Sequence, residues 1–145
     1  MSSNNDPIIV EQSFSSSIEK VWKALTEVAQ MRQWFFEHIE DFDPKVGFET
    51  QFNVHNQGRD FLHQWKLTEV VPYKKIIYHW KYRGYEGNSI VTFELEEKNN
   101  QTVLKLTHEG VETFPKNIPE FSRQSGIDGW NYFIKESLKD YLEKA

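Results

Sequence analysis

The chain has 145 residues, the length of one domain, and it carries 17 Lys and Arg against 22 Asp and Glu. The formal net charge of −5 disfavours nucleic acid and anionic membrane surfaces as partners, because proteins that bind either are usually basic. The absence of cysteine excludes disulfides, thiolate zinc sites and cysteine nucleophiles, and no apolar run approaches the roughly 20 residues of a membrane span.

The first third of the chain predicts a strand and two short helices. Residues 1–7 have the composition of a flexible tail and lack the basic start and apolar centre of a signal peptide, so the expected location is cytoplasmic. Residues 8–14 are rich in β-branched side chains and predict the first strand. The serines at 15–17 offer a helix N-cap before apolar residues spaced three and four apart, and a second short helix is predicted near residues 28–36.

Beyond Gly47 the apolar residues alternate with polar ones, which is the pattern of strands with one solvated face. Turn segments and Pro72 divide this pattern into five further strands. The predicted strands cover residues 48–54, 61–71, 76–83, 91–96 and 104–108. Because short turns join them in sequence order, they predict an antiparallel meander.

Apolar residues at helical spacing predict one long C-terminal helix over residues 128–144. Gly126 and Gly129 lower the helix propensity, so the first turns are expected either to be irregular or to allow close approach of the backbone. A helix of this length spans about 26 Å, whereas the helices near the N-terminus are short. The apolar face of the sheet must be covered, and only the C-terminal helix is long enough to cross it. Residues 8–145 are therefore predicted to form a single α+β domain.

Eight short motifs follow one another along this order of elements. They are SIEKVWKALT at 17–26, QWF at 33–35, GF at 47–48, LTEVVP at 67–72, IIYHW at 76–80, VTFELE at 91–96, TVLKLTH at 102–108 and GW at 129–130. The set resembles the helix-grip, START-like superfamily, and more narrowly the small proteins homologous to the C-terminal domain of Aha-type activators of the heat shock protein 90 ATPase. The resemblance implies a helix-grip fold, with a curved antiparallel six-stranded sheet wrapped on a long C-terminal helix and two short helices after the first strand.

Eleven side chains are predicted to line a cavity between the sheet and the helices. They share an inward position in the alternating or helical pattern: Trp34, Phe48, Phe52, His63, Trp65, Trp80, Phe93, Leu106, His108, Trp130 and Phe133. Aromatic rings bury large areas but leave gaps when they pack together, which favours a cavity for an apolar or aromatic ligand. The alternative is that these side chains form an ordinary aromatic core. The related family usually carries a small residue at the position of Trp65, so the resemblance implies a cavity that is partly filled there.

His63 and His108 are predicted to face inward, whereas His79 faces outward and His38 and His55 are placed in loops. Two interpretations of the inward pair are open. Either histidine would orient the polar end of a ligand or act as an acid or base near neutral pH, or it is simply satisfied by a neighbouring hydroxyl or backbone group. No histidine pair has the spacing of a helical metal site, and no phosphate-binding glycine loop is present, so neither a metal nor a cofactor is expected.

Three functions are compatible with the sequence. The first is a non-enzymatic protein that holds a small apolar or aromatic molecule. The second, implied by the resemblance, is a chaperone-regulating interaction module that uses its outer surface; stimulation of a chaperone ATPase is not implied, because the resemblance covers only the C-terminal type of domain. The third is a cyclase-like or hydrolase-like enzyme with His63 or His108 as acid or base, although no Gly-x-Ser-x-Gly nucleophile motif is present.

Overall fold

The computed structural model describes residues 6–144, so the tail predicted over residues 1–7 lies mostly outside the described residues. The first elements are β1 (Ile8–Phe14), α1 (Ile18–Thr26) and α2 (Val28–Trp34). The start of α1 agrees with the predicted serine cap, because Ser17 Oγ accepts a hydrogen bond from the Lys20 backbone N–H at 3.2 Å.

The second short helix ends at Trp34, two residues before the predicted end at residue 36. The backbone leaves the helical region at Phe35, where φ is −103° and ψ is −114°. Phe35 and Phe36 therefore lie in an irregular turn, and both pack against the hydrophobic core.

Six strands form one antiparallel sheet in the order β1-β6-β5-β4-β3-β2, which confirms the predicted sheet. The strands after the helices are β2 (Glu49–Asn56), β3 (Arg59–Val71), β4 (Lys75–Tyr82), β5 (Ser89–Lys98) and β6 (Gln101–Glu109). β2 and β3 stay paired up to Asn56 and Arg59, so only Gln57 and Gly58, both with positive φ, form the turn. The placement of His55 in a loop was wrong, because strand pairing continues through it.

The register of the strands gathers aromatic side chains on the inner face of the sheet. Three cross-strand pairs show this: Phe52 with His63, Trp65 with Trp80, and Phe93 with Leu106. All six side chains are buried, as the alternating pattern predicted.

The C-terminal helix covers this face and is longer than predicted. It consists of α3 (Arg123–Trp130), a π-helical stretch (Asn131–Ser137) and α4 (Leu138–Lys144). It begins before the predicted residue 128, because Ser122 Oγ accepts a hydrogen bond from the Ser125 backbone N–H at 3.1 Å and caps the helix there. The buried stripe of the helix comprises Trp130, Ile134, Leu138 and Leu142.

The segment between β6 and this helix contains two 3₁₀ turns, Val111–Thr113 and Pro119–Phe121. Phe121 is buried together with Phe61 and Phe114 in a second, smaller aromatic cluster at one end of the fold. Within residues 6–144, no helix is both long enough and apolar enough to cross a membrane.

Candidate functional site

The middle of the fold is filled with aromatic rings. The ring of Phe35 lies between the sheet and the C-terminal helix, with its centroid 5.5 Å from that of Trp65 and 4.9 Å from that of Phe133. Five of the eleven predicted cavity residues belong to this filled part and are at most 2% exposed: Trp34, Phe52, Trp65, Phe93 and Leu106. A sixth, Phe48, is half-buried just before β2 and packs against Phe42.

The end of the interior next to α3 contains a pocket of about 310 Å³. The other five predicted residues all line it: His63, Trp80, His108, Trp130 and Phe133. Five residues outside the predicted set complete its inner wall: Phe36, Val54, Phe61, Tyr82 and Phe121. The remaining lining residues are polar or small: His55, Asn56, Glu120, Ser125, Gly126 and Gly129. The pocket therefore combines an aromatic wall with a small number of polar groups, the composition of small-molecule sites.

One side of the pocket is held by a link between two segments that are distant in sequence. The Glu120 carboxylate accepts hydrogen bonds from Asn56 Nδ2 at 3.0 Å and from Arg59 Nη1 at 3.3 Å. The tip of the β2–β3 hairpin is thereby connected to the 3₁₀ turn that precedes α3. This link fixes the position of both lining segments relative to each other.

His108 is the centre of a chain of buried hydrogen bonds. Trp130 Nε1–H donates to His108 Nδ1 at 3.0 Å, so Nδ1 carries no proton and Nε2 is the protonated nitrogen. His108 Nε2–H then donates to Ser89 Oγ at 2.8 Å, and the Ser89 hydroxyl donates to the Trp80 carbonyl oxygen at 2.6 Å. Every polar atom of the imidazole is used, which agrees with the interpretation of a histidine satisfied by its neighbours.

His63 has a different environment. Its Nδ1–H donates to the Phe61 carbonyl oxygen at 2.9 Å, which leaves Nε2 as a lone-pair acceptor. The His63 ring stacks on Phe52 with a centroid distance of 4.8 Å and meets Tyr82 edge-on at 4.7 Å. The Tyr82 hydroxyl oxygen accepts a hydrogen bond from Trp80 Nε1 at 2.8 Å.

Burial keeps the titratable groups of the inner wall, His63, His108 and Tyr82, neutral. Desolvation lowers the pKa of His63 and the pKa of His108 from 6.5 to about 4 each. Desolvation also raises the pKa of the Tyr82 phenol above its ordinary value. At neutral pH the inner wall is therefore uncharged, and a charged group placed against it would lose its hydration without gaining a counter-ion.

The structure adds lining residues that the sequence analysis missed. Tyr82 continues the inward alternation of Trp80 along β4, so that signal was available. Phe36 follows the end of a helix, and Phe121 lies in a loop with no periodic pattern; neither carried a signal that fixes the direction of its side chain. Within residues 6–144, no group of three or more His, Asp or Glu side chains is placed to hold a metal ion.

Comparison with known proteins gives a family and a fold. Residues 15–143 match the family model described as "Activator of Hsp90 ATPase homolog 1-like protein". No curated protein matches the chain significantly.

Solved structures with the same fold cover nearly the whole chain. Protein CV1439 from Chromobacterium violaceum is 22% identical with a TM-score of 0.77, and the match covers 95% of this chain and 97% of that one. The Aha1 dimer from Colwellia psychrerythraea is 24% identical with a TM-score of 0.71, over 94% and 96% of the two chains. CalU16 from Micromonospora echinospora is 24% identical with a TM-score of 0.65, over 95% and 74%. These likenesses support the helix-grip architecture.

Proposed function

The chain belongs to the family of activator of Hsp90 ATPase homolog 1-like proteins, and within it we propose that this protein is a non-enzymatic binder of a small apolar or aromatic molecule. The family and its fold are in general associated with ligand binding or with regulation. The proposed site is the pocket between β2–β4, β6 and α3, lined by rings such as Phe36, Phe61 and Phe133.

The size and lining of this pocket carry the proposal. Ligand pockets in proteins have volumes of roughly 300–1,000 Å³ and are mostly apolar. An engineered apolar cavity of about 150 Å³ is enough to hold benzene, so a pocket of about 310 Å³ suits a molecule of two fused rings. In the centre of the fold, by contrast, rings such as that of Phe35 fill the space between sheet and helix.

The hydrogen bonds of His108 favour binding over catalysis. The 2.8 Å contact between His108 Nε2 and Ser89 Oγ has the spacing of a nucleophile–base pair. The direction of this hydrogen bond is wrong for a nucleophile–base pair. Because Trp130 donates to Nδ1, Nε2 bears the proton and acts as the donor to Ser89 Oγ. The Ser89 hydroxyl in turn donates to a backbone carbonyl, so His108 cannot accept its proton without breaking two buried hydrogen bonds.

The experiment is a titration with naphthalene, followed by the indole N–H signals of Trp80 and Trp130 in NMR spectra. A Cβ at Gly129 would meet no atom within 4 Å, so Gly129→Leu directs a side chain into open space beside the pocket without a backbone clash. We expect this variant to weaken naphthalene binding by about tenfold or more, which corresponds to about 1.4 kcal/mol. Gln124→Leu, at an exposed position of the same helix, is the matched control and should bind like the wild type.

Two results would overturn this proposal. One is the absence of any shift at Trp80 or Trp130 with either naphthalene or 2-naphthol, each added up to its solubility limit. The other is equal weakening by Gly129→Leu and Gln124→Leu, because binding would then be insensitive to the space in the pocket.

A second candidate function, regulation of a chaperone through an outer surface, is favoured by one observation. A groove of about 900 Å³ runs beside Tyr73, whose side chain is 45% exposed, and charged residues such as Lys74 and Glu94 line it. Exposed aromatic residues bordered by charges are typical of protein interfaces. Calorimetric titration of the host's Hsp90-type chaperone tests this function: Tyr73→Ala should weaken binding and Tyr132→Ala, at another exposed tyrosine, should not. The lack of any binding at micromolar concentration would contradict it.

A further inference from the structure

Two polar groups on the wall of the pocket have a hydrogen-bonding capacity that the described residues leave unused. The first is His63 Nε2, a lone-pair acceptor on the lining of the pocket, since Nδ1–H is already donated to the Phe61 carbonyl. No described residue donates a hydrogen bond to this atom. The second is the Tyr82 hydroxyl, whose oxygen accepts from Trp80 Nε1 but whose own proton has no acceptor among the described residues.

These two groups are neighbours in the pocket. The rings of His63 and Tyr82 lie 4.7 Å apart at an angle of 75°, and no hydrogen bond joins them. An acceptor and a donor are thus carried by two rings that are in contact on the inner wall of the pocket. A polar atom that is covered without a partner costs free energy, so a ligand that fills the pocket binds best when it supplies a partner to both groups.

We propose that the pocket selects a ring compound with one uncharged hydroxyl group, such as a phenol or naphthol. The hydroxyl of the ligand donates to His63 Nε2, and its oxygen accepts from the Tyr82 O–H. One small group then satisfies both protein atoms while the ring packs against Phe36 and Phe133. This inference rests on the proposed function and names the class of ligand for the same pocket.

The charges near the pocket favour a neutral hydroxyl over a carboxylate. No Lys or Arg is among the residues that line it, and the nearby Arg59 is paired with Glu120. A buried carboxylate would therefore lack a cationic partner, which is strongly unfavourable in an apolar site. A phenol, with an ordinary pKa of about 10 like that of tyrosine, is uncharged at neutral pH.

The selection of a hydroxyl group depends on the neutral state of His63. Burial lowers the pKa of His63 to about 4, so its Nε2 remains an acceptor at neutral pH. A protonated imidazole would offer two donors and no acceptor, and a hydroxyl would then be held less specifically.

The test compares three probes of nearly equal size by isothermal titration calorimetry: 2-naphthol, naphthalene and 2-naphthoate. We expect 2-naphthol to bind about tenfold tighter than naphthalene, since each new hydrogen bond contributes a modest net gain. Tyr82→Phe should reduce this ratio about threefold or more and leave naphthalene binding close to that of the wild type. Tyr85→Phe is the matched control, because the Tyr85 hydroxyl bonds to the Asp60 carbonyl outside the pocket.

Tyr82→Phe removes the acceptor of the Trp80 indole N–H, so the variant could fail to fold. A measurement on the wild-type protein keeps the inference testable in that case. The ¹⁵N shift of His63 Nε2 in the wild-type protein should move toward that of a hydrogen-bonded nitrogen with 2-naphthol and remain unchanged with naphthalene. Equal affinities for 2-naphthol and naphthalene, or tightest binding of 2-naphthoate, would overturn this inference and leave the proposed function standing. Failure of all three probes to bind would overturn both.

Discussion

The two buried histidines predict a loss of stability when the pH falls from about 7.5 to about 5.5. In the folded protein, burial holds the pKa of His63 and that of His108 at about 4, whereas the ordinary value of 6.5 applies to the unfolded chain. Below pH 6.5 the unfolded chain therefore binds protons that the folded protein does not, and stability falls with falling pH. The loss continues until the pH reaches the folded pKa near 4.

The magnitude follows from these values. At about pH 5.5 roughly nine-tenths of the unfolded-state histidines are protonated but only a few per cent of the folded ones. His63 and His108 together then contribute a loss of roughly 3 kcal/mol relative to about pH 7.5. With a urea m-value of about 2 kcal/mol/M for a protein of this size, the unfolding midpoint should fall by about 1–2 M.

Equilibrium urea unfolding at the two pH values measures the total effect, and an NMR titration of the imidazole Cε1–H signals assigns it to individual residues. His63→Leu should remove about half of the pH-dependent loss, even where the variant is less stable at every pH. The reasoning is refuted if the urea midpoint is the same at both pH values, or if His63 or His108 titrates near 6.5 in the folded protein.

Four substitutions at three positions test contacts that stabilise the fold. Trp130→Phe removes the indole donor of His108 and should cost about 1–3 kcal/mol more than Trp65→Phe, because the buried Trp65 Nε1 has no hydrogen-bond partner. Trp65→Ala should cost about 3–5 kcal/mol, since it removes a side chain that is 1% exposed in the filled centre. Ser17→Ala should cost about 1 kcal/mol by removing the cap of α1. Urea unfolding at neutral pH measures all of them.

Each of these substitutions has an outcome that would contradict its reasoning. Equal costs for Trp130→Phe and Trp65→Phe would mean that the hydrogen bond to His108 does not stabilise the fold. A cost below about 1.5 kcal/mol for Trp65→Ala would mean that the centre is loosely packed. Ser15→Ala, at an exposed serine without a cap contact, is the control for Ser17→Ala, and indistinguishable effects would count against the cap.

The sheet was predictable because its signal is local and repeated. In β4 the inward residues Ile76, Tyr78 and Trp80 occupy every second position, with Ile77 and His79 between them, and the structure buries all three. The start of the C-terminal helix was less predictable, because Gly126 and Gly129 lower the propensity of its first turns. There the cap and the packing of the helix against the sheet outweigh local propensity.

The arrangement inside the pocket could not be derived from sequence, because it depends on contacts between distant segments. Inward positions for His63 and His108 follow from alternation, but the tautomer of His108 is set by Trp130, 22 positions away on another element. Likewise, the direction of Phe35 depends on a break in helical geometry that has no periodic signature. The Trp130–His108 contact and the direction of Phe35 together decide which part of the interior is filled and which part is open.

The position of the pocket follows from the distribution of side chains along the C-terminal helix. In the filled part, Phe133 of the helix meets Phe35, and together with Trp65 they occupy the space between helix and sheet. On α3, one turn earlier, Gly129 presents no side chain, and a Cβ there would meet no atom within 4 Å. Gly126 allows close approach to β1, since a Cβ at this position would lie 3.0 Å from Ile8 Cδ1. Gly129, one of the two glycines that weaken the local helix signal, therefore leaves room beside the aromatic wall, whereas Gly126 lets the helix approach β1 closely.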